Sequence, residues 1–189
     1  GSVDLTAELS PETHALILNN PSNPTGAVFS KDELEEIRDL AIEYDFWVVT
    51  DEIYEKLVYT GTHHSIGAID GMADRTITTN GFSKAYAMSG WRLGYYTGPE
   101  AIVDAMQSLQ SQTVSAPTIF AQHGAVHALE GPQDAVGDMR DTYHERIQTA
   151  LDILEDDGVT IPEPQGAFYL FIPVDGSDDV ALAESLLDD

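Results

Sequence analysis

Asn80-Gly81-Phe82-Ser83-Lys84-Ala85-Tyr86-Ala87-Met88-Ser89-Gly90-Trp91-Arg92-Leu93-Gly94-Tyr95 is the stretch on which the fold and chemistry of this chain are decided. It sets Lys84 in a loop of small and apolar residues, and Arg92 eight positions later between glycines. The chain has only three lysines in 189 residues, at 31, 56 and 84, so one in such a setting asks for a chemical explanation. An amine held among apolar neighbours loses hydration, which disfavours its charged form and leaves it nucleophilic. Carbonyl chemistry through a Schiff base requires an amine of that kind.

Outward from this loop, the hydrophobic pattern alternates strands with helical crossovers. Residues 15–18 form a short apolar run ending at Asn19, as a buried strand does. Ser30-Lys31-Asp32-Glu33 has the form of a capping box. Leu34, Ile37, Leu40, Ala41 and Tyr44 then recur at helical spacing, so a helix is expected to about Glu43, with one face on a sheet. Further strands are expected over 46–50, 76–79, 92–97 and 167–172. Further helices are expected from Glu100, over 132–156 with Pro132 in the first turn and Gly158 past the end, and over 180–187. Such an order predicts an α/β fold with a mostly parallel sheet covered on both faces. Ligands of these sheets gather beyond the carboxyl ends of the strands. Asn23 follows the first strand, Asp51 and Tyr54 the second, and Lys84 the third, so one amide, one carboxylate, one phenol and one amine are expected to converge.

The Lys84 segment resembles that of the class I and II aminotransferases, fold-type I pyridoxal-phosphate enzymes. NNPSNPTG at Asn19 to Gly26 is similar to the family's NPxNPTG loop, and DEIYEKLVY at Asp51 to Tyr59 to its DExY segment. The order and separations of the three motifs are those of the family. SQSQTVSAPTIFAQ from Ser108 and PQGAFYLF from Pro164 to Phe171 resemble the prokaryotic aspartate/aromatic branch. The resemblance covers the middle of a family member. It implies part of the large cofactor-binding domain over 1–131, then an interdomain helix and the start of the small C-terminal domain over 132–189.

By the same resemblance, Lys84 carries pyridoxal 5'-phosphate as a Schiff base and later moves a proton at the substrate α-carbon. Asp51 pairs with the pyridine nitrogen; if buried alone, its pKa would be raised. Tyr54 and Asn23 hydrogen-bond the phenolic oxygen, and the Asn23-Pro24 bond is cis. Arg92 grips the phosphate, which a planar guanidinium does through two oxygens at once. Ser83 is a weaker phosphate candidate, because relatives carry a serine three residues before the lysine and this chain has Gly81 there. Trp91, Met88, Tyr86 and Tyr95 are assigned to packing. The implied reaction is transamination between an aspartate-like or aromatic amino acid and a 2-oxo acid such as 2-oxoglutarate, by a cytoplasmic homodimer. β-Elimination, racemisation and a non-catalytic scaffold are the other readings. Taken alone, these residues are expected to bind the cofactor weakly and not to turn over.

Composition narrows the partners. Acidic residues number 33 against 8 basic, for a formal net charge of −25, and 42% of residues are hydrophobic. That apolar content is too high for a disordered acidic tail, and the acidic residues are dispersed. A carboxylate-coated surface depleted of lysine is the pattern expected of a high-salt protein. No basic patch meets nucleic acid or an anionic membrane, and no apolar run spans a bilayer. The absence of cysteine excludes disulfides and thiolate metal sites. His123 and His127 stand four apart on an expected helix, but neither an HExxH glutamate nor a third ligand accompanies them, so no metal is assigned.

Overall fold

Four strands line up in chain order in the computed structural model, which describes residues 5–174 and 178–188. They are β1 (Ala15–Asn19), β2 (Trp47–Asp51), β3 (Thr76–Gly81) and β4 (Gly94–Thr97). The first three are parallel, with Leu18 opposite Thr50, Asn19 opposite Asp51 and Asp51 opposite Thr79. Their carboxyl ends therefore lie side by side.

Strand β4 runs antiparallel to β3, pairing Thr78 with Thr97 and Gly81 with Gly94. A parallel return needs a crossover, usually a helix. The β3–β4 connection holds only a single 3₁₀ turn at Ser89–Trp91. The expected strand from Arg92 begins two residues later, because Arg92 adopts the left-handed conformation that closes this turn (φ 54°, ψ 48°).

The described residues form five α-helices: α1 (Lys31–Glu43), α2 (Glu100–Thr113), α3 (Ile119–Glu130), α4 (Asp134–Asp156) and α5 (Asp179–Asp188). Helix α1 opens on the expected capping box. The Ser30 amide donates to Glu33 Oε2 at 2.8 Å, and the Glu33 amide donates to Ser30 Oγ at 3.3 Å. The Ser30 amide foremost, and then the Ser30 hydroxyl that donates to the same oxygen at 2.7 Å, hold the Glu33 carboxyl below its usual range. A cap of this kind contributes about 1 kcal/mol. Helix α4 starts at Asp134 rather than with Pro132 in its first turn, and Gly158 follows its end at φ 82°.

The core lies between α1 and one face of the sheet. Leu34, Ile37 and Ala41 of α1 meet Leu18 and Val48, with Phe46, Ile66, Ile69 and Met72 closing the layer. Fully burying Phe46 or Leu34 is worth roughly 1.5–3 kcal/mol each. On the other face Ile17 is 82% exposed, and Leu109, Ile119 and Phe120 of α2 and α3 are also open. Trp91 seats α3: a Cβ on Gly124 would lie 2.7 Å from its ring.

Residues 167–172 are not a strand, although AFYLFI has the composition of one. Ala167 sits in the left-handed region (φ 59°), which interrupts extended alternation, and the segment makes only a bridge between Val58 and Gly166. The segment is instead docked by its backbone. Gly26 O accepts from the Gln165 and Gly166 amides at 2.9 Å each, Gln165 O accepts from the Tyr59 amide at 2.8 Å, and Leu57 O accepts from the Ala167 amide at 2.9 Å. The Tyr59 hydroxyl donates to Ala167 O.

Candidate active site

The three parallel strand ends open into a cleft of about 450 Å³, lined by residues that include Asn23, Asp51, Tyr54, Ser83, Lys84 and Tyr169. That volume lies in the range of small-molecule sites.

Each wall has a local cause. After β1, the Asn19 side chain ties two motifs together: Nδ2 donates to Asp51 O at 3.0 Å, and Oδ1 accepts from the Asn23 amide at 2.6 Å. Buried Asn20 fixes the same loop, donating to His64 O and accepting from the Phe29 amide. The Asn20-Pro21 and Asn23-Pro24 bonds are both cis.

After β2, Asp51 Oδ1 accepts from the Ile53 amide at 3.1 Å, which turns the chain toward Tyr54. Asp51 itself is exposed. Its neighbour Glu52 carries the burial instead, at 2% exposure. Thr50 Oγ1 donates to Glu52 Oε1 at 3.3 Å, and His63 Nε2 lies 3.2 Å from Oε2, so the buried carboxylate is partnered on both oxygens.

After β3, buried Phe82 and Ala85 pull the loop inward on either side of Ser83 and Lys84, which remain on the cleft. The Ala87 amide donates to Lys84 O and the Met88 amide to Phe82 O, closing the turn. Lys84 Nζ lies 5.7 Å from the Tyr54 ring centroid and 5.2 Å from that of Phe168, both within cation–π range.

The docked C-terminal segment completes the cleft with an aromatic wall. Tyr54 meets Phe168 and Tyr169 edge-on, at 5.4 and 5.8 Å between centroids, and Tyr143 of α4 stacks on Phe168 at 5.0 Å. The Tyr54 and Tyr169 hydroxyls are 2.6 Å apart. Burial pushes the Tyr54 phenol well above its usual range; the Tyr169 hydroxyl and the Asp51 charge add to this, while a hydrogen bond from Asn23 opposes it.

Asn23, Asp51, Tyr54, Ser83 and Lys84 thus share one cleft. Arg92 is not among its lining residues. It is exposed, and its Nη1 donates to Ser89 O at 2.9 Å. Tyr86 and Tyr95 pack on Phe82 as expected. The sequence reading missed Tyr169, Asn19, Thr79 and Asn80 as lining residues. The aromatic pair after Gly166 was the available signal for Tyr169.

Comparison with known proteins agrees with this geometry. The family model described as aminotransferase class I and II matches residues 2–189. The chain belongs to this family. It is 46% identical over 174 residues to aromatic-amino-acid aminotransferase 2 of Thermococcus litoralis, covering 90% of this chain and 45% of that protein. It is 41% identical to the aspartate/prephenate aminotransferase of Thermus thermophilus, covering 95% and 48%. Among solved structures, it superposes on the aromatic aminotransferase of Pyrococcus horikoshii with a TM-score of 0.94 at 40% identity, covering 97% of this chain and 50% of that one. For the Thermus thermophilus aspartate aminotransferase with maleate the TM-score is 0.93, also at 40% identity, with 97% and 49% covered. The chain spans about half the length of the curated relatives it matches. Its sheet and flanking helices are those of the fold-type I large domain.

Enzymes of this family use pyridoxal phosphate. The cleft of this family member suits that group: it offers an amine, a carboxylate at a strand end, and a phenol beside an amide. Ser83 adjoins Lys84 on the cleft, and Arg92 gives one of its five N–H donors to Ser89 O. Among the described residues, no helix is long and apolar enough to cross a membrane.

Proposed function

We propose that the cleft carries out pyridoxal-phosphate-dependent transamination between an aspartate-like or aromatic amino acid and a 2-oxo acid. The observation that carries this reading is the convergence of Lys84, Asp51, Tyr54 and Asn23 from three separate loops on one cleft. When bound, the cofactor would supply an aldehyde carbon for the Lys84 amine and an electron-withdrawing ring that would acidify the substrate α-carbon. The protein's own groups then have distinct tasks. Lys84 Nζ would take and return the α-proton as general base. Asp51 holds a proton on the ring nitrogen by its charge. Tyr54 and Asn23 donate toward the phenolic oxygen. Ser83 and Arg92 are assigned to the phosphate.

For the full-length enzyme, the expected result is a yellow protein whose visible absorption shifts when aspartate or an aromatic amino acid is added and recovers with 2-oxoglutarate; these residues alone are expected to bind the cofactor weakly and not to turn over. A colourless protein after incubation with pyridoxal phosphate would sink the assignment. Homodimerisation, a cytoplasmic location, and a division into parts at residues 131 and 132 belong to the same proposal.

The acidic surface is assigned to high-salt adaptation. With 33 acidic and 8 basic residues, self-repulsion destabilises the fold in dilute buffer. The screening length falls from roughly 10 Å at 0.1 M salt to roughly 3 Å at 1 M. The melting temperature is therefore expected to rise between those concentrations, and a flat or falling response would remove the assignment.

A further inference from the structure

The Tyr54 and Tyr169 hydroxyls, 2.6 Å apart, have two protons to share between two oxygens, and either can be the donor. Tyr54 is buried. A phenol oxygen accepts two hydrogen bonds and donates one. If Tyr169 donates to Tyr54, the Tyr54 proton is free for an acceptor in the cleft. If no acceptor is there, the low-cost arrangement is for Tyr54 to donate to Tyr169, since an unpaired buried hydroxyl is costly.

We propose that Tyr169 is a positioning residue acting through Tyr54. Its hydroxyl accepts the Tyr54 proton while the cleft is empty, and donates to the Tyr54 oxygen when an oxyanion in the cleft claims that proton. This rests on the transamination reading, with the cofactor's phenolic oxygen as the oxyanion. The reversal needs only hydroxyl rotation and makes Tyr54 a stronger donor, because aligned hydrogen bonds polarise one another. It also makes the docked 164–169 segment part of the site, although Tyr169 need not touch the ligand.

The test has one arm without cofactor. Tyrosine labelled at the ring ζ-carbon reports the Tyr54 titration by NMR in the unliganded protein. Tyr169→Phe removes the hydroxyl that accepts from the neutral Tyr54 phenol and donates to the ionised one, so the Tyr54 titration is expected to move. Tyr143→Phe, which deletes a hydroxyl from the same aromatic cluster without touching Tyr54, is expected to leave it unmoved. The second arm compares pyridoxal phosphate with its 3-deoxy analogue, which lacks the phenolic oxygen. Tyr169→Phe is expected to weaken the first about three- to ten-fold, as for a lost hydrogen bond, and to spare the second.

An unmoved Tyr54 titration, or equal shifts in Tyr169→Phe and Tyr143→Phe, would overturn the proposal. So would equal weakening of the two ligands. A shifted Tyr54 titration in a protein that binds neither ligand supports the hydroxyl pair and overturns the cofactor reading, which separates the two.

Discussion

In the full-length enzyme loaded with pyridoxal phosphate, borohydride reduction is expected to fix the cofactor covalently to Lys84, and Lys84→Ala to lower transamination by about 10⁴-fold or more. The substitution removes both the covalent anchor and the base at the α-carbon. It leaves Asp51, Tyr54 and Asn23 in place, so some non-covalent binding is expected to survive. The other two lysines serve as internal controls. Lys31 pairs with Glu35 at 3.4 Å on α1, and Lys56 with Glu55 at 3.6 Å, and neither lines the cleft. Peptide mapping that places the reduced adduct on Lys31 or Lys56 would refute the assignment.

The second large effect is expected far in sequence from that lysine. Gly26 has φ 69°, and a Cβ there would collide with Pro164 and lie 2.8 Å from Gly166 O. Gly26→Ala therefore combines left-handed backbone strain of about 1–2 kcal/mol with overpacking of about 1–3 kcal/mol, about 2–5 kcal/mol together. Gly61 provides the comparison, with φ 86° and nothing within 4 Å of a Cβ. Gly61→Ala is expected to cost only the backbone share. Denaturant unfolding of the two variants checks this. Equal losses would mean that the docking of Pro164 and Gly166 on Gly26 adds nothing.

The parallel part of the fold was legible because buried strands and the α1 capping box leave strong local patterns. Asn19, Asp51 and Gly81 each end a strand, so the motifs could be placed at one edge before any contact was known. The reversal of β4 was harder to read. Its cause is a missing crossover helix, and Leu93 to Thr97 is as β-rich as a parallel strand would be. Residues 167–172 misled for a related reason. Composition reports what a segment favours in isolation, whereas the left-handed turn at Ala167 is imposed by bonds to Gly26, Leu57 and Tyr59, all more than 100 positions away. Tyr169 entered the cleft through that turn and was therefore unseen. The left-handed backbone of Arg92 and its bond to Ser89 O have no sequence signature.

The open sheet face at Ile17 bears on how the protein behaves among its own copies. Exposed apolar area of this kind draws molecules together at short range, and the apolar edges of α2 and α3 add to it. Dispersed negative charge holds copies apart at longer range, and does so less as salt is added. Colloidal stability is then a contest between the two, set by the solution and not by the fold. Near the isoelectric point of about 4.1 the repulsion vanishes while the apolar face remains, so acid pH is where the protein is least able to stay dispersed.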